Sequence, residues 1–344
     1  MLILHIFTLP ILFFLLAVVT DEFFIESLYE VGKRLQLSNE AAGATLMAAG
    51  SSAPELFISF IALFRLNGLA DIGAGTIVGS AIFNILVIIG VASMFRQARL
   101  IWQVAMRDML FYVLSIVLLL HTFWDGIITF QEASYFVMLY VFYIFAVVKW
   151  KSWLNYSEVN PVDVVEKDIE KGQLTARVVQ IFSKVYPSRK RYIIVFLESI
   201  LFIGVLSYLM IESAISAAEV FNISPAIIGL TVLAIGTSVP DLLSSIVVAR
   251  RGMGNMAVSN AVGSNIFDIL FGLGSPWVVV ILFTGNTVAV STENLLSSVF
   301  LLFATVIALL FILIVKQWHL GKRAGTVLII LYILYLGSNI ISVL

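Results

Sequence analysis

Two stretches of this chain are copies of one another. Gly43, Thr45, Ala48, Gly50, Ser51, Ser52, Pro54 and Glu55 recur as Gly229, Thr231, Ala234, Gly236, Thr237, Ser238, Pro240 and Asp241, at an offset of 186 residues. At the same offset Glu26 meets Glu212, Ser27 meets Ser213, Ser38 meets Ser224, Ser59 meets Ser245 and Gly68 meets Gly254. Two residues then drop out. At an offset of 184, Gly79, Ser80, Ile82, Phe83, Asn84, Ile85 and Leu86 match Gly263, Ser264, Ile266, Phe267, Asp268, Ile269 and Leu270. Apolar helices resemble each other by composition alone, but here the polar, glycine and proline positions agree. A duplication of this kind constrains the fold before any single element does.

The copies lie in strongly apolar surroundings. Of 344 residues, 61% are hydrophobic and 12% charged, about half the charge of a soluble domain. That excludes a soluble or disordered chain. The absence of cysteine removes disulfide frameworks and cysteine-based zinc or redox sites. With 20 basic and 21 acidic residues there is no basic surface for nucleic acid. A spanning helix needs roughly 20 apolar residues. Ten such runs are predicted: 3–32, 38–65, 71–95, 100–121, 127–149, 192–219, 224–249, 255–284, 294–315 and 324–343. The first runs past Asp21 and Glu22 with neither a basic leader nor a cleavage site, so it reads as a span rather than a signal peptide. A polar, charged segment over 150–191, punctuated by Pro161 and Pro187, is a linker with room for one short helix.

With the N-terminus outside, 19 of the 20 basic residues fall in inside loops and only Arg65 falls outside, which is the bias that sets membrane orientation. Both termini are then outside and the linker is cytoplasmic. Each half has an odd number of spans, so the second copy must cross the membrane in the opposite sense. The expected fold is an all-α membrane protein of ten transmembrane helices. It is built as two inverted five-helix repeats (1–149 and 192–344) joined by the linker 150–191, with helices broken at an ion site. Inverted repeats are the mark of secondary transporters, with the substrate site near the midplane between the repeats.

The polar residues inside the spans specify the substrate. Glu55, Asp241 and Asp268 sit deep in spans two, seven and eight, where an unaccompanied carboxylate costs several kcal/mol. No basic residue lies at that depth, so a cation or proton must balance them. Pro54 and Pro240 precede two of these acids, and a helical proline frees the carbonyl four residues back. Breaks are therefore expected near Gly50 and Ser51 and near Gly236 and Thr237, tolerable only where backbone lines a cavity. Ser51, Ser52, Thr237 and Ser238 add hydroxyls, and the second motif adds Ser80 and Asn84 against Ser264 and Asp268. A donor set of carboxylate, hydroxyl and carbonyl suits hard cations. Three negative charges match one divalent plus one monovalent cation, or several monovalents. His5, His121 and His319 fall at predicted span ends, away from this centre. Gly43, Gly73, Gly75, Gly90, Gly229 and Gly274 read as close-packing positions. Asp21, Glu22 and Glu26 read as interfacial, the pair Glu26/Glu212 as an access-path candidate, and Asp108 and Glu198 as solvated near span starts. Asn222-to-Ser224 forms a glycosylation sequon that abuts the membrane.

The sequences at 48–55, 75–86, 236–241 and 263–269 resemble the alpha-repeats of the cation/calcium exchanger superfamily, and most of all the potassium-dependent sodium/calcium exchangers. The resemblance extends over the whole chain and is strongest over 38–95 and 224–276. It implies an antiporter, not an enzyme. Sodium would exchange for calcium, with potassium co-transported, by alternating access in a plasma or cell inner membrane, and no prosthetic group would be needed. It also implies roles. Glu55 and Asp241 would be the central calcium and sodium ligands. Ser51, Ser52, Thr237, Ser238 and the carbonyls of Ala48 and Ala234 would flank them. Ser80, Asn84, Ser264 and Asp268 would complete the sites, with Asp268 tied to potassium. A calcium/proton or potassium-independent exchanger on the same fold is the alternative. A cation channel and an intramembrane aspartyl protease using Asp241 and Asp268 fit less well: the repeat argues against the first, and the protease Gly-x-Gly-Asp motif is absent.

Overall fold

The computed structural model describes residues 2–34, 48–64, 70–95, 98–154, 173–186, 191–221, 223–250 and 254–341. In chain order the helices are α1 (Leu2–Val19), α2 (Ile25–Arg34), α3 (Ala48–Ser51), α4 (Ala53–Phe64), α5 (Ala70–Phe83), α6 (Ile89–Phe95), α7 (Trp102–Thr122) and α8 (Phe130–Trp153). After the linker helix α9 (Gln173–Val185) come α10 (Tyr192–Phe221), α11 (Pro225–Ile228), α12 (Ala234–Arg250), α13 (Gly254–Phe267), α14 (Gly274–Thr284), α15 (Thr292–Val315) and α16 (Lys322–Ile341). Among the described residues, four π-helical turns connect neighbours, at Thr20–Phe24, Asn84–Ile88, Gly229–Leu233 and Asp268–Leu273.

Among the described residues, seven helical stretches are long and apolar enough to cross a membrane: Thr8–Ser27, Ala70–Phe95, Trp102–Thr122, Phe130–Trp150, Tyr192–Phe221, Ala257–Thr284 and Leu295–Val315. They coincide with seven of the ten predicted spans. The remaining three correspond to the shorter apolar helices Ala53–Phe64 and Ala226–Val239 and to the 20-residue helix α16. Residues 35–47, which begin the second predicted span and include Ser38 and Gly43, lie outside the described residues, as do Arg65, Asn222 and most of the linker.

Two of the stretches form the centre. Ala70–Phe95 is 83% buried and Ala257–Thr284 is 67% buried, against 28–39% for the other five. The cause lies in the sequence. α5 is built from Gly, Ala, Ser and Thr among β-branched residues, so it has no bulky face to hold neighbours away, and every residue from Ile72 to Phe83 is buried. The closest approach is to the π-turn Gly229–Leu233. A methyl group on Gly75 would stand 2.7 Å from the Ala226 carbonyl, and one on Gly79 would collide with the Leu230 carbonyl. The outer helices instead turn large apolar side chains outward, such as Leu201, Phe311 and Leu334, as lipid contact requires.

Helix ends carry the expected signals. α8 opens on a capping box in which Thr129 and Glu132 each bond the other's backbone N–H, at 3.3 and 2.9 Å. α14 stops at Gly285, whose φ of 70° is left-handed. Two short antiparallel ladders tie the halves together. Ala98–Arg99 pairs with His319–Leu320, and Ile127–Ile128 pairs with Val288–Ala289. α9 fills the predicted linker helix. Its Phe182 and the adjoining Tyr186 pack on Phe23 and Phe202, with Tyr186 stacked on Phe23 at 4.0 Å between ring centres.

The first expected break falls beside its expected place, and the second does not form where expected. In the first half a turn at Ser52 separates α3 from α4, two residues before Pro54. In the second half α12 runs through Pro240 without a break. One missing N–H removes one helical bond, and intact bonds on either side hold the helix. The irregularity in that half lies upstream, where Ala234 donates to Gly229, five residues back, closing a π-turn.

A buried carboxylate centre between the two halves

The two π-turns nearest the centre begin at Asn84 and at Asp268, positions related by the sequence offset of 184. π-turns inside helices are frequent at functional sites because the widened turn re-aims side chains and carbonyls. Here they start on the two polar residues predicted to face each other.

Glu55 is 2% exposed and Asp268 1% exposed. Ser52, Ser80, Asn84, Thr237, Ser238 and Ser264 are all buried as well, while Ser51 and Asp241 are half-buried. Side chains from the two halves interlock. Ser80 and Ser238 share a hydrogen bond of 2.8 Å. Thr237 lies within hydrogen-bonding reach of Glu55, and Ser52 within reach of Asp268. Glu55, Asp241 and Asp268 are close enough to repel one another. The Thr237 hydroxyl also donates back to the carbonyls of Leu233, at 3.0 Å, and Ala234, at 3.4 Å, so the Ala234 carbonyl already has a partner. Ala48 opens α3.

Three buried oxygens in this group accept no hydrogen bond: Glu55 Oε2, Asp268 Oδ1 and Asn84 Oδ1. A buried oxygen without a donor costs about 1–3 kcal/mol, more when charged. Three together, beside several hydroxyls and with no lysine or arginine among them, make a donor set suited to a hard cation. Yet no three acidic or histidine side chains among the described residues close on one point as a metal cage would.

Asn265 was not among the residues singled out from the sequence. It is fully buried, and its carboxamide accepts from Asn84 Nδ2 at 2.8 Å while donating to the Ala81 carbonyl at 3.1 Å and to the Tyr112 hydroxyl at 2.8 Å. Asn265 thus holds Asn84 by its nitrogen, and Asn84 Oδ1 is left without a donor. The sequence signal was the mismatch Ala81/Asn265 inside the repeat, one residue after Ser80/Ser264.

Two acids depart from the solvated reading. Asp108 is 5% exposed, paired with Arg107 Nε at 2.8 Å and bonded by the Tyr143 hydroxyl at 3.3 Å. Arg107, the preceding residue of α7, is buried beside it and neutralises it, because a lone charge there would be costly. Glu198 has Oε2 buried without a hydrogen-bond donor.

The family described as "Sodium/calcium exchanger protein" matches residues 5–149 and 191–341, most of the chain. The chain belongs to the sodium/calcium exchanger family. Among curated relatives, human sodium/potassium/calcium exchanger 4 is 29% identical, the alignment covering 98% of this chain and 81% of the relative. Human sodium/potassium/calcium exchanger 2 is 27% identical, covering 98% and 78%. Chicken (Gallus gallus) sodium/potassium/calcium exchanger 1 is also 27% identical, covering 99% and 78%. Two solved structures share the fold. The sodium-calcium exchanger NCX_Mj is 23% identical with a TM-score of 0.61, covering 98% of this chain and 99% of its own. The H+/Ca2+ exchanger CAX is 15% identical with a TM-score of 0.69, covering 97% and 80%. The chain is thus an integral multi-pass membrane transporter of inorganic cations and not an enzyme.

Proposed function

We propose that this exchanger moves calcium against sodium, with potassium carried alongside calcium, by alternating access. The observation that carries the reading is the set of orphaned oxygens on Glu55, Asp268 and Asn84 at a centre shared by both halves. Glu55 and Asp241 hold calcium or sodium. Ser51, Ser52, Thr237, Ser238 and the carbonyls of Ala48 and Ala234 flank them. Ser80, Asn84, Ser264 and Asp268 complete the sites, with Asp268 serving potassium. The named likeness to sodium/potassium/calcium exchangers supports potassium.

The architecture is ten spans in two inverted repeats, 1–149 and 192–344, around a cytoplasmic linker 150–191, with both termini outside. The ladders support it: Ala98–Arg99 and His319–Leu320 would both be inside, and Ile127–Ile128 and Val288–Ala289 both outside. Exchanging the halves exchanges one ladder for the other. An empty centre would hold uncompensated carboxylates at depth, so reorientation without cargo is unfavourable. That penalty couples the fluxes, since only differential stabilisation of states drives a change.

The test is calcium uptake into proteoliposomes under an outward sodium gradient or an outward proton gradient. Uptake under the sodium gradient alone supports the reading. Uptake under the proton gradient alone assigns the chain to the calcium/proton class.

A further inference from the structure

Asn84 and Asp268 hold equivalent places in the two repeats, and each opens a π-turn. Buried polar groups run from one towards the other. Asn84 Nδ2 donates to Asn265 Oδ1 at 2.8 Å. Asn265 Nδ2 carries two protons, and both are used: one on the Ala81 carbonyl at 3.1 Å, one on the Tyr112 hydroxyl oxygen at 2.8 Å. A carboxamide nitrogen only donates. Tyr112 therefore accepts from Asn265, and its own O–H is left to find an acceptor. Tyr112, on α7, is 0% exposed, so bulk water does not supply one.

Asp268 is placed to do so. It follows Asn265 by three residues, which puts the two on one side of the helix. It lies within electrostatic reach of Tyr112, and its Oδ1 is buried without a hydrogen-bond donor. Tyr112 itself stands outside both repeated motifs, so no sequence signal marks it.

We propose that Tyr112 is a positioning residue whose hydroxyl joins the Asp268 carboxylate to the Asn265 amide and thereby fixes Asn84 for calcium binding. This rests on the reading of Asn84 and Asp268 as members of the cation centre. The carboxylate draws the Tyr112 proton, the polarised hydroxyl holds the Asn265 N–H more strongly, and Asn265 holds Asn84 more strongly in turn. Asn84 and Tyr112 belong to the first half, Asn265 and Asp268 to the second. Every link thus crosses between the halves, and the acid of one repeat orients the amide of the other.

The test is equilibrium dialysis of radioactive calcium against purified protein in detergent, which needs no driving ion. Tyr112→Phe removes one oxygen and keeps the ring. It should weaken calcium binding about five-fold, the equivalent of one buried hydrogen bond. In an Asn84→Ala or an Asp268→Asn background, where one end of the chain is gone, the same change should shift binding by less than about two-fold. A merely structural role would give the same loss in every background. Tyr140 is the control: it is also within electrostatic reach of Asp268, and its ring packs edge-on against Phe267 at 5.5 Å, but it forms no link in the chain. Tyr140→Phe should leave calcium binding unchanged. Unaltered binding in Tyr112→Phe overturns the proposal, as does an equal loss in the Asn84→Ala background or an equal loss in Tyr140→Phe. Background-dependent loss in a protein whose uptake follows a proton gradient alone would support the Tyr112 link and remove the sodium-exchange reading. Sodium-driven uptake with an equal loss in every background would remove the Tyr112 link alone.

Discussion

Replacing Asn265 by alanine tests whether the centre is oriented by a buried amide network. The side chain is 0% exposed and makes three hydrogen bonds, to Asn84 Nδ2, the Ala81 carbonyl and the Tyr112 hydroxyl. Between membrane helices a hydrogen bond contributes about 0.6 kcal/mol, because the unfolded chain in lipid also finds partners. In dry cores it contributes about 1 kcal/mol. Three bonds give roughly 2–3 kcal/mol, and the vacated volume adds to the loss. The second consequence is geometric. Asn84, freed from Asn265, can turn its amide and lose the oxygen it presents to the centre. Equilibrium unfolding of purified protein in detergent reads the first effect, and half-saturating calcium in proteoliposomes reads the second. A double-mutant cycle with Asn84→Ala should return a coupling of about 1 kcal/mol, since the pair is in direct contact. Additive losses with unchanged calcium dependence in Asn265→Ala would refute the orientation argument.

Other outcomes follow from the same geometry. Asp268→Asn should weaken or abolish potassium dependence while leaving some sodium/calcium exchange, read as calcium flux against external potassium; unchanged potassium dependence would remove the assignment. Gly75→Ala should reduce the yield of folded protein, because its methyl would stand 2.7 Å from the Ala226 carbonyl and backbone cannot yield as a side chain can; size-exclusion chromatography of the expressed variant reads this, and wild-type yield would contradict it. Asp108→Asn should destabilise by about 2 kcal/mol, because it removes the buried carboxylate that accepts from Arg107 Nε; thermal unfolding checks it, and an unchanged midpoint would show that this pair contributes nothing to stability.

The repeat made the centre legible. Residues that carry charge or a hydroxyl inside an apolar span must serve something, so Glu55, Asp241, Asp268 and their serines stood out from sequence alone. The depth of α5 was legible too, in its glycines and alanines. What escaped was tertiary. Proline chemistry pointed to a break near Gly236 and Thr237, but α12 runs through both and the irregular turn lies upstream at Gly229–Leu233. Asp108 looked solvated because it lies near a helix start, whereas Arg107 folds in with it. Asn265 was passed over because its first-half counterpart is Ala81, and a repeat draws attention to agreements rather than differences.

The central claim is that Glu55 and Asp241 hold the transported cations. It is tested most directly by sodium-driven calcium uptake in proteoliposomes bearing Glu55→Gln or Asp241→Asn, each verified as folded by its elution profile. Both changes keep size and remove one negative charge. The account predicts folded protein with calcium uptake lost in both. Wild-type uptake in either folded variant would contradict it.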